Sequence, residues 1–158
     1  MFFIFSNSKK YTNSIEDEIS LEQSNKVSSV PQAVSKQASF AIFTNGTFRT
    51  FTASMYHNLS DDVYIEAGSP NIIKVKKAGV TWNDFFSTLP FKLTQDCLTT
   101  GTKETFCTGS KVSLKFYLNG ERKESVLDQE IQSGDKFLVT FGNESEDAIK
   151  QQIDKIPQ

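Results

Sequence analysis

Residues 79–90 have the sequence GVTWNDFFSTLP, which predicts a short helix buried against a sheet. Thr81 is suited to the N-cap, Asp84 follows at the spacing of a capping box, and Pro90 ends the helix. Four large apolar side chains recur at helical spacing and would share one face: Trp82, Phe85, Phe86 and Leu89. A helix this short is unstable alone in water, so we expect strands before and after it to bury that face.

The composition of the 158-residue chain changes near residue 37. Ser, Asn, Gln, Lys and Glu dominate residues 1–36, whereas Phe, Val, Ile and Leu are frequent afterwards and can form a core. We therefore predict that residues 1–36 combine a candidate anchor remnant with a flexible linker, and that residues 37–158 form a single α+β domain. The net charge is −2 and the basic residues do not cluster, which argues against a nucleic-acid partner.

The chain begins with an apolar run, Met1–Phe5, that is too short to span a bilayer, which takes about 20 residues. The run also lacks the charged start and the cleavage site of a signal peptide. Two interpretations remain: it is the remnant of a longer membrane anchor, or it is an apolar terminus without a role. An apolar start, a polar tether and a folded domain are together typical of an ectodomain that contacts the membrane only through its N-terminus.

Two hairpins are predicted before the helix. Asn45-Gly46 is suited to a type I′ turn in the first, over residues 40–51. Residues 63–76 form the second, with its turn at residues 67–71. Alternation along the second hairpin directs one set of side chains to the core: Val63, Ile65, Ile73 and Val75. The opposite set is the candidate binding face: Tyr64, Glu66, Lys74 and Lys76.

The C-terminal half is predicted to be β-grasp-like. Asn119-Gly120 marks a further strand–turn–strand unit, and residues 131–141 form a turn and the final strand. Asn143 is expected to cap a C-terminal helix, whose apolar stripe comprises three residues: Ile149, Ile153 and Ile156. The predicted fold class is therefore α+β, with β-hairpins packed on one short helix, a β-grasp-like C-terminal half and a C-terminal helix.

Cys97 and Cys107 are the only cysteines, and they flank a polar segment that contains Gly101. This arrangement predicts a hairpin with one cysteine on each arm. Either the pair forms a disulfide, which would indicate an oxidising compartment, or the two remain free buried thiols. Their spacing differs from Cys-x-x-Cys, so a thioredoxin-like redox site is not predicted.

The sequence contains no recognisable catalytic motif. His57 is the only histidine, which excludes a His-based triad and a multi-histidine metal site. Asp61-Asp62 is expected in a surface turn, and no Gly-rich phosphate-binding motif is present. We therefore predict no catalytic residue, no cofactor and no metal site.

Several short motifs resemble those of a family of small single-anchor membrane proteins from candidate-phylum bacteria and archaea. They are Phe40-Ala41-Ile42-Phe43-x-Asn45-Gly46, Gly79-Val80-Thr81-Trp82-x-Asp84-Phe85-Phe86, Asp96-Cys97-Leu98, Cys107, Leu114-x-Phe116-Tyr117-x-Asn119-Gly120 and Gly134-Asp135-x-x-Leu138. The resemblance covers about residues 37–156 and implies an N-terminal membrane segment with an outward-facing domain. It supports the interpretation of Met1–Phe5 as part of an anchor.

This sequence departs from the family at one group of positions. Relatives often carry His-x-His on each arm of the second hairpin, where this chain has Tyr64, Glu66, Lys74 and Lys76. Protonated lysine is a poor metal ligand, so we expect no metal there. Instead, Glu66 is expected to pair with Lys74 or Lys76 across the hairpin.

The leading functional hypothesis is an extracytoplasmic, membrane-tethered binding module without catalytic activity, on the outer side of the cell membrane. Its partner would be an unidentified protein or small ligand. One alternative is a thiol–disulfide redox protein that uses Cys97 and Cys107. Another is a degenerate metal-binding module that retains only the scaffold.

Overall fold

Two sheets and two helices build the α+β domain in the computed structural model, which describes Val30 and residues 32–158. The elements are β1 (Ala33–Thr44), β2 (Thr47–Phe48), a 3₁₀ turn (Ser54–Tyr56), β3 (Val63–Glu66), β4 (Ser69–Lys77), α1 (Trp82–Thr88), β5 (Lys92–Leu93), β6 (Cys97–Thr99), β7 (Thr105–Cys107), β8 (Ser113–Leu118), β9 (Glu121–Arg122), β10 (Lys136–Gly142) and α2 (Glu146–Asp154). The larger sheet has the order β3-β4-β1-β10-β8-β9, with β2 paired to β1, and the smaller has the order β5-β6-β7. The predicted α+β class is confirmed.

The centre of the larger sheet is formed by β1 and β10, which run parallel and pair from Ser39–Lys136 to Thr44–Phe141. The other strand pairs of this sheet are antiparallel. A central parallel pair formed by β1 and β10, with α1 between them in sequence, is a β-grasp-like topology. It includes β1 and β4 in addition to the C-terminal half for which it was predicted.

Helix α1 is confirmed in position and in its capping box. Asp84 N donates to Thr81 Oγ1 at 3.1 Å, and Thr81 N donates to Asp84 Oδ2 at 2.8 Å. The four predicted apolar side chains are buried. The Trp82 ring lies 4.4 Å from that of Phe137 in β10, and Phe40 in β1 meets two phenylalanine rings of the helix at 5.3 and 5.9 Å. Helix α1 therefore covers one face of the sheet, which we call the inner face.

Helix α2 covers the opposite, outer face. Its Ile149 and the following Ile156 pack against an apolar cluster of β1 and β10: Ala41, Phe43 and Leu138. The predicted N-cap at Asn143 is wrong, because the helix begins after Ser145, whose Oγ accepts a hydrogen bond from a backbone N–H of the first turn. Since β10 continues to Gly142, the next residues are needed to reverse the chain before a helix can start.

Backbone angles confirm both Asn-Gly turns. The φ angles are +49° and +78° at Asn45 and Gly46, and +54° and +83° at Asn119 and Gly120, as a type I′ turn requires. The strands that follow these two turns, β2 and β9, are shorter than predicted and contain two residues each. The turn of the β3–β4 hairpin is also shorter than predicted, because β4 already begins at Ser69.

Strand β1 begins at Ala33, earlier than the domain start expected at residue 37. Its first residues pair with β4, with Ala33 opposite Lys77 and Gln37 opposite Lys74. Polar side chains at this end of the strand obscure the alternating pattern that marks a strand. The predicted apolar run and most of the predicted linker lie in residues 1–29 and 31, outside the described residues.

Candidate ligand-binding cleft

The predicted binding face lies on the outer face of β3 and β4, directed away from the core. Tyr64 is directly opposite Lys74, but a register shift places Glu66 opposite Ser69. No ion pair between described residues includes Glu66, so its predicted pairing with Lys74 or Lys76 is wrong. The register shifts because residues 70–72 of β4 lie between Ser69 and Ile73, the partners of the adjacent residues Glu66 and Ile65.

Cys97 in β6 and Cys107 in β7 lie directly opposite each other and form a disulfide, with an S–S distance of 2.06 Å and a Cα–Cα distance of 4.1 Å. The predicted pairing is confirmed, and the alternative of two free thiols is wrong. Leu98 and Phe106 face each other across the same two strands and are buried against the main core. The bridge therefore links β6 and β7 beside the two side chains with which the small sheet packs on the core. The presence of a disulfide indicates an oxidising compartment.

An open cleft of about 260 Å³ lies between the small sheet and the segment that contains β2 and the 3₁₀ turn. Much of its apolar lining comes from five residues that are distant in sequence: Ile42, Phe51, Tyr56, Phe91 and Leu98. Arg49 and four threonines supply the polar part of the lining. We call this feature the Arg49 cleft.

An aromatic cluster forms the floor of the Arg49 cleft. The ring of the buried Phe51 lies 5.0 Å from Phe40, 5.0 Å from Tyr56 and 5.9 Å from Phe91. Opposite it, Gly101 brings the β6–β7 turn close, since a β-carbon there would lie 3.6 Å from the Tyr56 hydroxyl. Because Phe40 belongs to the core under α1, the floor of the cleft is continuous with the rigid interior.

Arg49 stands at the polar edge of the cleft. Its Nε donates to Thr44 Oγ1 at 2.5 Å, and its guanidinium carbon lies 5.2 Å from the ring centre of Phe106. A longer contact of 3.4 Å joins Nη2 to Glu104 Oε2, and the two side chains are 32% and 55% exposed. Residues of β1 and β7 therefore set the orientation of the guanidinium, while Glu104 contacts it from the solvent side.

Sequence patterns did not indicate this cleft. Its lining comes from β1, β2, the 3₁₀ turn and the small sheet, which meet only in the folded chain. One available signal was the rarity of arginine: the chain has 17 basic residues, of which only Arg49 and Arg122 are arginines. Arginine in place of lysine is favoured where a planar set of donors is needed.

A buried ion pair lies elsewhere, near the start of α2. Lys115 Nζ is 2.7 Å from Glu144 Oε2 and 2.8 Å from Gly142 O, and the two side chains are only 9% and 7% exposed. Burial raises the pKa of the neighbouring Tyr117 above its usual value, while the charge of Arg122 acts in the opposite direction. The pair joins β8 to the segment between β10 and α2, which gives it a structural role.

The remaining polar residues singled out in the sequence have local contacts. His57 Nε2 lies 2.8 Å from Phe51 O, and Asp62 pairs with Lys77 at 2.8 Å. Within Val30 and residues 32–158, no group of three or more His, Cys, Asp or Glu residues could hold a metal ion. No helix in this same part of the chain combines the length and the apolar character needed to cross a bilayer.

Comparison of the chain with protein-family models, curated proteins and solved structures found no match. Its function is therefore inferred from its own geometry and chemistry.

Proposed function

We propose that this chain is an extracytoplasmic, membrane-tethered binding module without catalytic activity, and that the Arg49 cleft is its ligand site. The observation that carries the proposal is the aromatic floor around Phe51 beside the restrained guanidinium of Arg49. Concave apolar sites with a few placed polar groups are typical of small-molecule binding. The disulfide supports an extracytoplasmic location, and the apolar run Met1–Phe5 followed by a polar segment supports a tether.

The size of the cleft limits the ligand. A volume of about 260 Å³ lies just below the range of about 300–1,000 Å³ that is usual for ligand pockets. The site is therefore suited to one aromatic ring or a short aliphatic chain. Because its floor is part of the core, it is largely formed before binding, which reduces the entropy lost when a ligand binds.

A titration followed by nuclear magnetic resonance tests this proposal. The probe is 4-phenylbutyramide, a neutral molecule with an aromatic ring and a short chain. We expect its binding to shift the backbone signals of the cleft-lining residues. A Thr50→Trp substitution should fill the cleft and abolish these shifts, whereas Thr52→Trp, also exposed but outside the lining, should leave them intact. Shifts elsewhere, or shifts that persist in Thr50→Trp, would contradict the proposal.

One observation favours a second candidate, a thiol–disulfide redox protein. Cys107 is exposed and Cys97 is half-buried, so an incoming thiolate can reach the bridge. Equilibration with glutathione or dithiothreitol measures the reduction potential of Cys97–Cys107. A value below about −300 mV is characteristic of a structural bridge, and one near −200 mV would favour the redox function.

A further inference from the structure

We infer that the ligand of the Arg49 cleft is an apolar monocarboxylic acid, whose carboxylate binds Arg49 in place of Glu104. The inference rests on the proposed function of the cleft and identifies the chemical class of its ligand.

The guanidinium of Arg49 is held in place before any ligand arrives. The hydrogen bond from Nε to Thr44 and the stacking over Phe106 restrain it in two different directions. Thr44 belongs to β1 and Phe106 to β7, so both partners are held by the hydrogen bonding of a sheet. A ligand that binds this guanidinium would therefore not need to order a free side chain, and such preorganisation favours affinity.

The same guanidinium retains donors for a ligand. Arginine has five N–H groups, and in the described part of the chain Arg49 uses one for Thr44 and one for Glu104. The contact to Glu104 is 3.4 Å long, beyond the usual range of about 2.7–3.2 Å for a good hydrogen bond. Exposed ion pairs of this kind contribute little, about 0–1 kcal/mol. Glu104 is therefore a counter-ion that a better-placed carboxylate can displace.

The charge of the lining selects a monoanion. Among the described residues that line the cleft, Arg49 is the single cationic one. A guanidinium matches the two oxygens of a carboxylate in a parallel, bidentate arrangement. A phosphate, which carries up to two charges at neutral pH, would exceed the single positive charge that Arg49 supplies in the described lining. The aromatic floor then accommodates the apolar body of the acid next to its carboxylate.

Two nearly isosteric probes test the inference: 4-phenylbutyrate and 4-phenylbutyramide, titrated at neutral pH against the full chain. We expect the acid to bind at least about tenfold more tightly than the amide, the factor that 1.4 kcal/mol represents. Arg49→Gln should remove this preference while the amide still binds, which shows that the cleft is intact. Glu104→Gln should tighten binding of the acid severalfold and leave that of the amide unchanged.

The outcomes separate the inference from the function on which it rests. Equal binding of acid and amide at the cleft would overturn the carboxylate assignment and leave the ligand site in place. Absence of binding by both probes would overturn both. If Arg49→Gln fails to fold, the Glu104→Gln variant decides the matter, because Glu104 is exposed and its change should alter only the affinity for the acid.

Discussion

The carboxylate of Glu144 lies directly against the α-carbon of Gly142, so that a β-carbon added to Gly142 would be 2.3 Å from Oε1. Gly142 also has a φ of +152°, a conformation that favours glycine. The crowding carboxylate cannot move away freely, because Oε2 is bound to the buried Lys115. The ion pair between Lys115 and Glu144 therefore requires a glycine at position 142, because any larger residue would occupy the space of the Glu144 carboxylate.

A Gly142→Ala substitution should therefore destabilise the domain. We expect the free energy of unfolding to fall by about 2–4 kcal/mol, from backbone strain and disturbance of a buried ion pair. Urea denaturation measures the change. The matched control is Gly109→Ala, where an added β-carbon meets no atom of Val30 or residues 32–158 within 4 Å and φ is not positive. Equal effects of the two substitutions would contradict this account.

The disulfide should stabilise the domain without being essential to it. Reduction is expected to lower the free energy of unfolding by about 2–3 kcal/mol, because the bridge closes a short loop. Denaturation with and without reductant measures this, and intact mass after alkylation reports the bridge itself. A variant with Cys97→Ser and Cys107→Ser should match the reduced protein and show no response to reductant. Two freely alkylated thiols in protein from its native compartment would refute the bridge.

The aromatic face of α1 should dominate the stability of the core. Trp82→Ala and Phe86→Ala each remove a buried ring, and each is expected to lower the free energy of unfolding by about 3–5 kcal/mol. Asn83→Ala in the same helix is the control, since Asn83 is exposed and its replacement should change stability by less than about 0.5 kcal/mol. Losses as small as the control's would show that the helix does not pack as described.

The sequence predicted those parts of the fold that depend on nearby residues. The capping box of Thr81 and Asp84 and the turns at Asn45-Gly46 and Asn119-Gly120 are set by a few adjacent residues. The placement of Cys97 and Cys107 on the two arms of one predicted hairpin likewise brought them within reach of each other, although the sequence left a disulfide and two free thiols as alternatives.

Features that depend on distant parts of the chain were missed. The N-cap at Ser145 could not be separated from Asn143, because the choice depends on where β10 ends. The register shift that places Glu66 opposite Ser69 depends on an irregularity in β4, where residues 70–72 lie between two consecutive pairs. The Arg49 cleft requires residues from β1 and from the small sheet to meet, and no periodicity connects Ile42 with Leu98.

Acid should weaken the contact that Glu130 makes with the beginning of β1. Lys36 Nζ donates to Glu130 Oε1 at 2.7 Å, and Gly79 N donates to the same oxygen at 3.0 Å. The hydrogen bond from Lys36, followed by that from Gly79, lowers the pKa of the Glu130 carboxyl. The ionised Glu130 carboxylate therefore stabilises the domain fully at pH values above its unfolded-state pKa of about 4.3. This stabilisation is lost as the pH falls through the lower folded-state pKa.

Glu130→Gln should accordingly reduce stability at neutral pH and lose that deficit in acid. Denaturation of the wild type and the variant between about pH 7 and pH 2.5 measures the difference, which should shrink below about pH 4. Lys36→Gln removes the partner and should give the same trend. A deficit that stays constant down to the lowest pH would contradict the assigned cause.

The parallel pairing of β1 with β10 also determines how the chain must fold. Ser39 meets Lys136, so the central contact of the sheet joins the two ends of the domain. Closing such a long loop costs chain entropy before it gains contacts, and domains with this high contact order fold slowly, in milliseconds to seconds. Stopped-flow refolding monitored by Trp82 fluorescence would measure the rate. During synthesis, β1 lacks its parallel partner β10 until that last strand has emerged from the ribosome. Until then, Trp82 of α1 also lacks its contact with Phe137.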